Sequence, residues 1–182
     1  MTTETLDIVY DIPTFKAEAS RHTLAVLVDN EFGVLARVIG LFSGRGYNIE
    51  SLTVAEVEHE KKLSRITIVT SGTEHVVEQI KKLLERMVPV HKVHDLTVEG
   101  AHVERELALL KVAASAENRQ AALKTADMFR AKVIDSTPES FVFEMTGEAR
   151  TIDEFISMMQ PLGLTEICRT GIAAVSRGKQ GI

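Results

Sequence analysis

The chain has 182 residues, 45% of them hydrophobic and 26% charged, with a formal net charge of -5. That length fits one ordinary domain or two small ones, and the apolar fraction suffices for a packed core. The acidic balance argues against a binder of nucleic-acid backbones, and with no Trp and only 2 Tyr there is little on which bases could stack.

The first 20 residues, "MTTETLDIVYDIPTFKAEAS", lack the basic start and unbroken apolar stretch of a secretion signal. They read as an N-terminal extension in which "LDIVY" either pairs as an edge strand or stays loose. "HTLAVLV" (22–28) is a buried strand. The helix after it carries Leu35, Val38, Ile39 and Phe42 on one face, and Gly44 and Gly46 stop it. "NIESLTVAEV" is a second strand, with Ile49 out of phase with Leu52 and Val54, which points to a bulge. "EHEKK" is a polar turn, and "LSRITIVT" a strand with Ile66 and Ile68 on one side. From Thr73 to Met87 a single apolar stripe of Val76, Val77, Ile80, Leu83, Leu84 and Met87 marks a helix. "VPVHKVHDLTV" closes the unit as a strand. The order β-α-β-β-α-β is the ferredoxin-like arrangement.

After the charged connector "EGAHVERE" the order recurs. "LALLKVAA" is a strand, and 118–131 a helix with Ala122, Leu123, Ala126 and Phe129 inward. "KVIDSTPESFVFEMTG" is a hairpin around Pro138 with Phe141, Phe143 and Met145 on one face. The next helix offers a capping box, Thr151 with Glu154, and buries Ile152, Phe155, Ile156 and Met159. "LTEICRTGIAAVS" is the final strand. The fold class is therefore α+β, two ferredoxin-like βαββαβ domains in tandem, over 21–99 and 100–182. The single cysteine, Cys168, allows no internal disulfide and sits in an apolar run, where a buried, inert thiol is expected. No stretch approaches the ~18 apolar residues of a membrane span, so a soluble, cytoplasmic chain is expected.

Six histidines invite a metal reading. His91 and His94, three apart in a strand, point to opposite faces and cannot share an ion; His59 and His75 have no partner at ligand spacing. The Gly-x-Gly of "SGRGYN" ends a helix, the wrong context for a dinucleotide loop. No nucleophile sits with a base and an orienting acid, so the chain reads as non-catalytic. The informative stretch is "DNEFG". It ends a strand and opens a helix, so backbone N–H groups of residues 33 to 35 form an anion site for a carboxylate. Gly33 lets a ligand approach the main chain, and the side-chain carbonyls of Asn30 and Asn48 can accept from an ammonium group. Leu35 and Ile49 would flank an aliphatic side chain. Together these suit a free α-amino acid. The plain alternative is that Asn30 only caps the helix and Gly33 only permits the turn.

"DNEFGVLARVIGLFSGRGYNIESLTVAEVE", "LSRITIVTSG" and "EGAHVERELALLKV" closely resemble the small regulatory subunit of acetohydroxyacid synthase (acetolactate synthase) over about residues 21–178. The resemblance implies that the first domain is an ACT domain and that the chain has no active site or cofactor of its own. The partner large subunit would use thiamine diphosphate, Mg²⁺ and FAD to condense pyruvate with pyruvate or 2-oxobutyrate. The small subunit would activate it and confer feedback inhibition by valine in branched-chain amino-acid biosynthesis. The family's ligand positions fall on Asn30, Gly33, Val34, Leu35, Asn48 and Ile49. Valine would lie where two ACT domains pair as a homodimer, the turn coming from one chain and Asn48-Ile49 from the other. Phe32 departs from the small polar residue often found there and could narrow or cover the pocket. "AASAENRQAA" at the equivalent junction of the second domain lacks glycine, so no ligand is expected there. The rival reading is a free-standing amino-acid sensor without an enzyme partner.

Overall fold

The computed structural model describes residues 18–179 and 181–182; the "LDIVY" segment lies outside them. The first unit runs β1 (Ser20–Asp29), α1 (Val34–Ser43), β2 (Ser51–Glu58), β3 (Leu63–Gly72), α2 (Glu74–Glu85) and β4 (Val90–Asp95). Its antiparallel sheet has the order β2-β3-β1-β4. The second unit runs β5 (His102–Val112), α3 (Ala116–Met128), β6 (Lys132–Ser136), β7 (Phe141–Gly147), α4 (Ala149–Met159), β8 (Leu164–Arg169) and β9 (Ala173–Ser176). Its order is β6-β7-β5-β8, with β9 also on β5. Both units have the β-α-β-β-α-β order read from the hydrophobic pattern.

Each sheet buries one face under its two helices. Leu24, Val26, Ile66 and Ile68 meet Val38, Phe42, Ile80 and Leu84 in the first core. Leu110, Phe143, Ile152, Phe155 and Met159 fill the second. Thr73 accepts the Val76 N–H and so caps α2. The two-residue period places Ala25 and Val69 on the opposite face of the first sheet. That face is covered too: Ile172 and Ala174 from the end of the chain pack on Ala25, Val69 and Leu96.

Several expectations shift. The "EGAHVERE" connector is in part strand: His102–Arg105 pairs with β9, from His102↔Ser176 to Arg105↔Ala173, so its backbone groups are satisfied by the sheet and not by water. The single final strand is broken. β8 pairs with the second half of β5 and β9 with the first, and between them Gly171 takes φ +82°. A β-carbon on Gly171 would lie 2.6 Å from Ser51 Oγ, so glycine is needed both for the bend and for the contact with β2. The Thr151 capping box does not form. The helix α4 starts earlier, at Ala149 after Glu148, without a side-chain cap, and Glu154 pairs with Arg150 at 3.2 Å.

The inner face of α1 is Val34, Val38 and Phe42, which leaves Ile39 42% exposed. In α3, Thr125 joins Ala122 and Ala126 in the core while Leu123 faces out. Ile49 precedes β2 and packs against the first core; the register shift falls between Glu56 and Glu58. Cys168 is exposed, because β8 is an edge strand and Cys168 lies opposite Leu109 on the sheet face away from the helices. Among the described residues no helix is long and apolar enough to cross a membrane.

Candidate functional site at the first strand-helix turn

The end of β1 is pinned by two backbone bonds, Asp29 N–H to the Pro89 carbonyl (2.9 Å) and Asn30 N–H to the Lys62 carbonyl (2.7 Å). The chain then turns through Glu31 and Phe32 to Gly33, which takes φ +82° and ψ -3° and stands as the N-cap of α1. Asn30 is therefore not the helix cap, and no side chain caps α1; its first turn also contains no acid. The first turn at the positive end of the helix thus holds no acidic side chain of its own. A β-carbon built on Gly33 would have no atom within 4 Å, so the space before these amides is open. Of the amides expected as donors, Val34 N–H makes one long bond, to the Glu31 carbonyl at 3.4 Å. Val34 is buried and Leu35 is partly buried against the first core. Phe32 is fully exposed and covers nothing among the described residues. Beside the turn, Glu31 pairs with Arg37. In α3, by contrast, Ser115 accepts the Asn118 N–H, so that helix start is capped by its own chain.

Asn48 and Ile49 follow the end of α1. Gly46 takes φ +69°, and Tyr47 N–H returns to the Phe42 carbonyl at 3.0 Å. The Asn48 backbone carbonyl accepts from Thr70 Oγ1 at 2.6 Å, which holds the residue while leaving it exposed. Strand register shows how far this lies from the turn. Thr70 is opposite His22, and Asp29 is opposite Leu63, so Asn48 and Asn30 sit at opposite ends of the sheet. Eight residues of strand at about 3.3 Å each separate them by roughly 25 Å. The structure brings together Asn30, Gly33, Val34 and Leu35, and separately Asn48 and Ile49. One chain does not join the two groups.

Polar contacts between and within the units have no local signature in the sequence. Ser51 Oγ accepts the Ile172 N–H (2.9 Å), Thr53 Oγ1 donates to the Ile172 carbonyl (2.7 Å), and Arg65 donates to the Ala174 carbonyl (2.6 Å). His22 meets Asp95 at 2.7 Å in a buried pair. Arg169 donates twice to Glu106, at 2.9 and 2.6 Å, and these bonds hold its guanidinium charged, far above the ordinary range, against the opposing effect of burial. Only the distribution of polar residues on apolar-facing positions hinted at such pairs. Among the described residues no three His, Cys, Asp or Glu side chains converge as a metal site.

Residues 24–92 match the family of the AHAS small subunit-like ACT domain, and residues 105–178 match the small subunit of acetolactate synthase. The chain is 45% identical over 160 residues to a probable acetolactate synthase small subunit of Archaeoglobus fulgidus, covering 88% of this chain and 99% of that one. The chain belongs to the acetolactate synthase small-subunit family. Within the family, the isozyme 3 small subunit of Escherichia coli is 45% identical over 159 residues, covering 87% of this chain and 96% of that one. The crystal structure of the acetolactate synthase small subunit from Thermotoga maritima superposes with a TM-score of 0.79 at 38% identity, covering 88% of this chain and 99% of that one. The first βαββαβ unit is thus an ACT domain of this family's type, and the open turn at Gly33 belongs to it.

Proposed function

We propose that the chain is a regulatory subunit that binds and activates the catalytic large subunit of acetolactate synthase. In this reading it confers feedback inhibition by valine, bound where two copies of the ACT domain (21–99) meet. The thiamine diphosphate, Mg²⁺ and FAD chemistry belongs to the large subunit, and this chain supplies the response to the amino acid. The observation that carries the reading is the uncapped start of α1 behind an open Gly33, with no acid in its first turn. It suits the carboxylate of an amino acid.

Topology supports a second copy as the source of the other half of the site. β2 is an edge of the first sheet, and an edge strand presents unpaired backbone groups. Two copies pairing β2 to β2 around a two-fold axis would run antiparallel. The Asn48 end of one sheet then lies beside the Asn30 end of the other. That arrangement spans the ~25 Å separation which no motion of one folded chain closes. Asn30 and the partner copy's Asn48 would hold the ammonium group, with Leu35 and the partner copy's Ile49 flanking an aliphatic side chain.

The test is reconstitution with the large subunit. Acetolactate formation should rise when this chain is added and fall again with valine, and calorimetric titration should give one valine response per interface site. A chain that binds valine but neither associates with nor stimulates the large subunit would instead be a free-standing sensor.

A further inference from the structure

The outer face of the first sheet carries a second concave site, of about 370 Å³, unconnected with the Gly33 turn. Strand register builds its floor. Arg65 on β3 and Lys92 on β4 are both opposite Leu27 on β1, so the two cations start two strand spacings apart, about 10 Å. The end of the chain adds a third. Arg177 follows β9 and is fixed by its N–H bond to the Ala101 carbonyl at 2.9 Å. Ile182 closes one wall, packed on the Leu96, Ile172 and Ala174 cluster.

The charge balance of this cavity is unlike the rest of the molecule. Among the described residues, Arg65, Lys92 and Arg177 form no ion pair with a carboxylate, although the chain is acidic at -5. Elsewhere Arg21 pairs with Glu104 (3.6 Å) and Lys81 with Glu99 (3.0 Å). Glu99 is an acid of the cavity wall and is already shared: it takes Lys81, the His94 ring and the Asp95 N–H. The head of Arg65 is held by its 2.6 Å bond to the Ala174 carbonyl, and partial burial pushes its pKa down, the sign of a cation that has lost water without gaining an anion. With Glu99 already paired, the three cations give the concave wall an excess of positive charge, which focuses the field and concentrates anions. The volume falls in the range of small-molecule sites.

We propose that this cavity binds a small, multiply charged anion bearing phosphate or carboxylate groups. Its oxygens take the guanidinium forks of Arg65 and Arg177, with Lys92 acting as a point charge. The experiment uses the full chain in a low-salt, non-coordinating buffer, with pyrophosphate and citrate as alternative probes. Calorimetry and the Nε–Hε signals of arginine in NMR spectra follow binding. Saturable binding with shifts at Arg65 and Arg177 is expected, and it should weaken at least tenfold in Lys92→Gln and in Arg177→Gln. Both side chains are exposed, so melting temperatures should hold. Preference for pyrophosphate assigns a phosphate ligand and preference for citrate a polycarboxylate. The proposal falls if neither probe saturates, or if both variants bind as the wild type does, which means an adventitious ion only. It also falls if the variants keep anion binding but lose association with the large subunit, which would make the cavity a protein-docking surface.

Discussion

At Gly33 the requirements of the backbone and of the proposed ligand coincide. Its φ of +82° is uncomfortable for most side chains, at roughly 1–2 kcal/mol, and its missing β-carbon keeps the helix amides accessible. Aspartate is among the residues that tolerate this conformation, and an acid at a helix start is favoured by the dipole, so Gly33→Asp should remain folded. Its carboxylate would occupy the anion site and repel the ligand's. Valine inhibition should disappear while activation of the large subunit persists; an unchanged inhibition midpoint would place the carboxylate elsewhere. In the proposed site, Asn48→Ala would remove a charge-assisted hydrogen bond worth roughly 1.5–3 kcal/mol, so valine should bind about tenfold more weakly or worse. The fold tolerates this change because Thr70 holds the Asn48 backbone, not its side chain. A lowered melting point with an undiminished valine-induced shift would leave Asn48 a turn residue. Glu99 gives a pH prediction. Burial opposes its charge, but bonds from His94, Lys81 and the Asp95 N–H outweigh it and hold the carboxyl below the usual range. A folded pKa below the unfolded one stabilises at pH values above about 4.3, and that contribution is lost as pH falls through the folded value. Melts from pH 6 downward should show the wild-type advantage over Glu99→Gln shrinking in acid.

At the scale of elements, the segment from β8 to β9 connects the two units. β2 opens two residues after Ile49, and its Ser51 and Thr53 grip Ile172 from both sides, through the N–H and the carbonyl. Ser51→Ala would leave the Ile172 N–H without that acceptor, at a cost of about 1–3 kcal/mol. Hydrogen exchange of the Ile172 amide should accelerate by a corresponding factor while strands such as β7 stay protected. Gly163 works differently, inside the second unit. It has φ +105°, and a β-carbon there would sit 2.5 Å from the Ala113 carbonyl oxygen, whose residue's N–H bonds back to the Gly163 carbonyl at 2.8 Å. Gly163→Ala must therefore break the β5–β8 junction. A loss of at least ~2 kcal/mol is expected, seen as a lower denaturation midpoint.

For the whole molecule the proposed site makes the pairing of two chains the quantity to test. The two halves of the proposed site are separated along the full sheet, so a monomer holds at most half of it. Sedimentation at micromolar concentration should show a dimer, and valine should shift the equilibrium further towards it, since a ligand bound across an interface stabilises that interface. A chain that stays monomeric while binding valine tightly would contradict the shared site.

Periodicity alone was enough for the βαββαβ order of both units, because the stripes of α2 and α4 and the alternation of Phe141, Phe143 and Met145 reflect which face meets the core. The Gly33 turn was legible for a similar reason: left-handed backbone and a helix start are local properties. Three features depended on tertiary structure. The bend at Gly171 exists because β5 offers two successive pairing partners and Ser51 approaches from the other unit. The strand character of His102–Arg105 depends on β9, some 70 residues away, and no local pattern encodes that pairing. Asn30 and Asn48 fall in one continuous stretch of sequence, yet register separates them by the length of a sheet. Hydrophobic spacing records the environment of each residue on its own element, whereas pairing across elements is set by long-range contacts, and those appear only when the chain is folded.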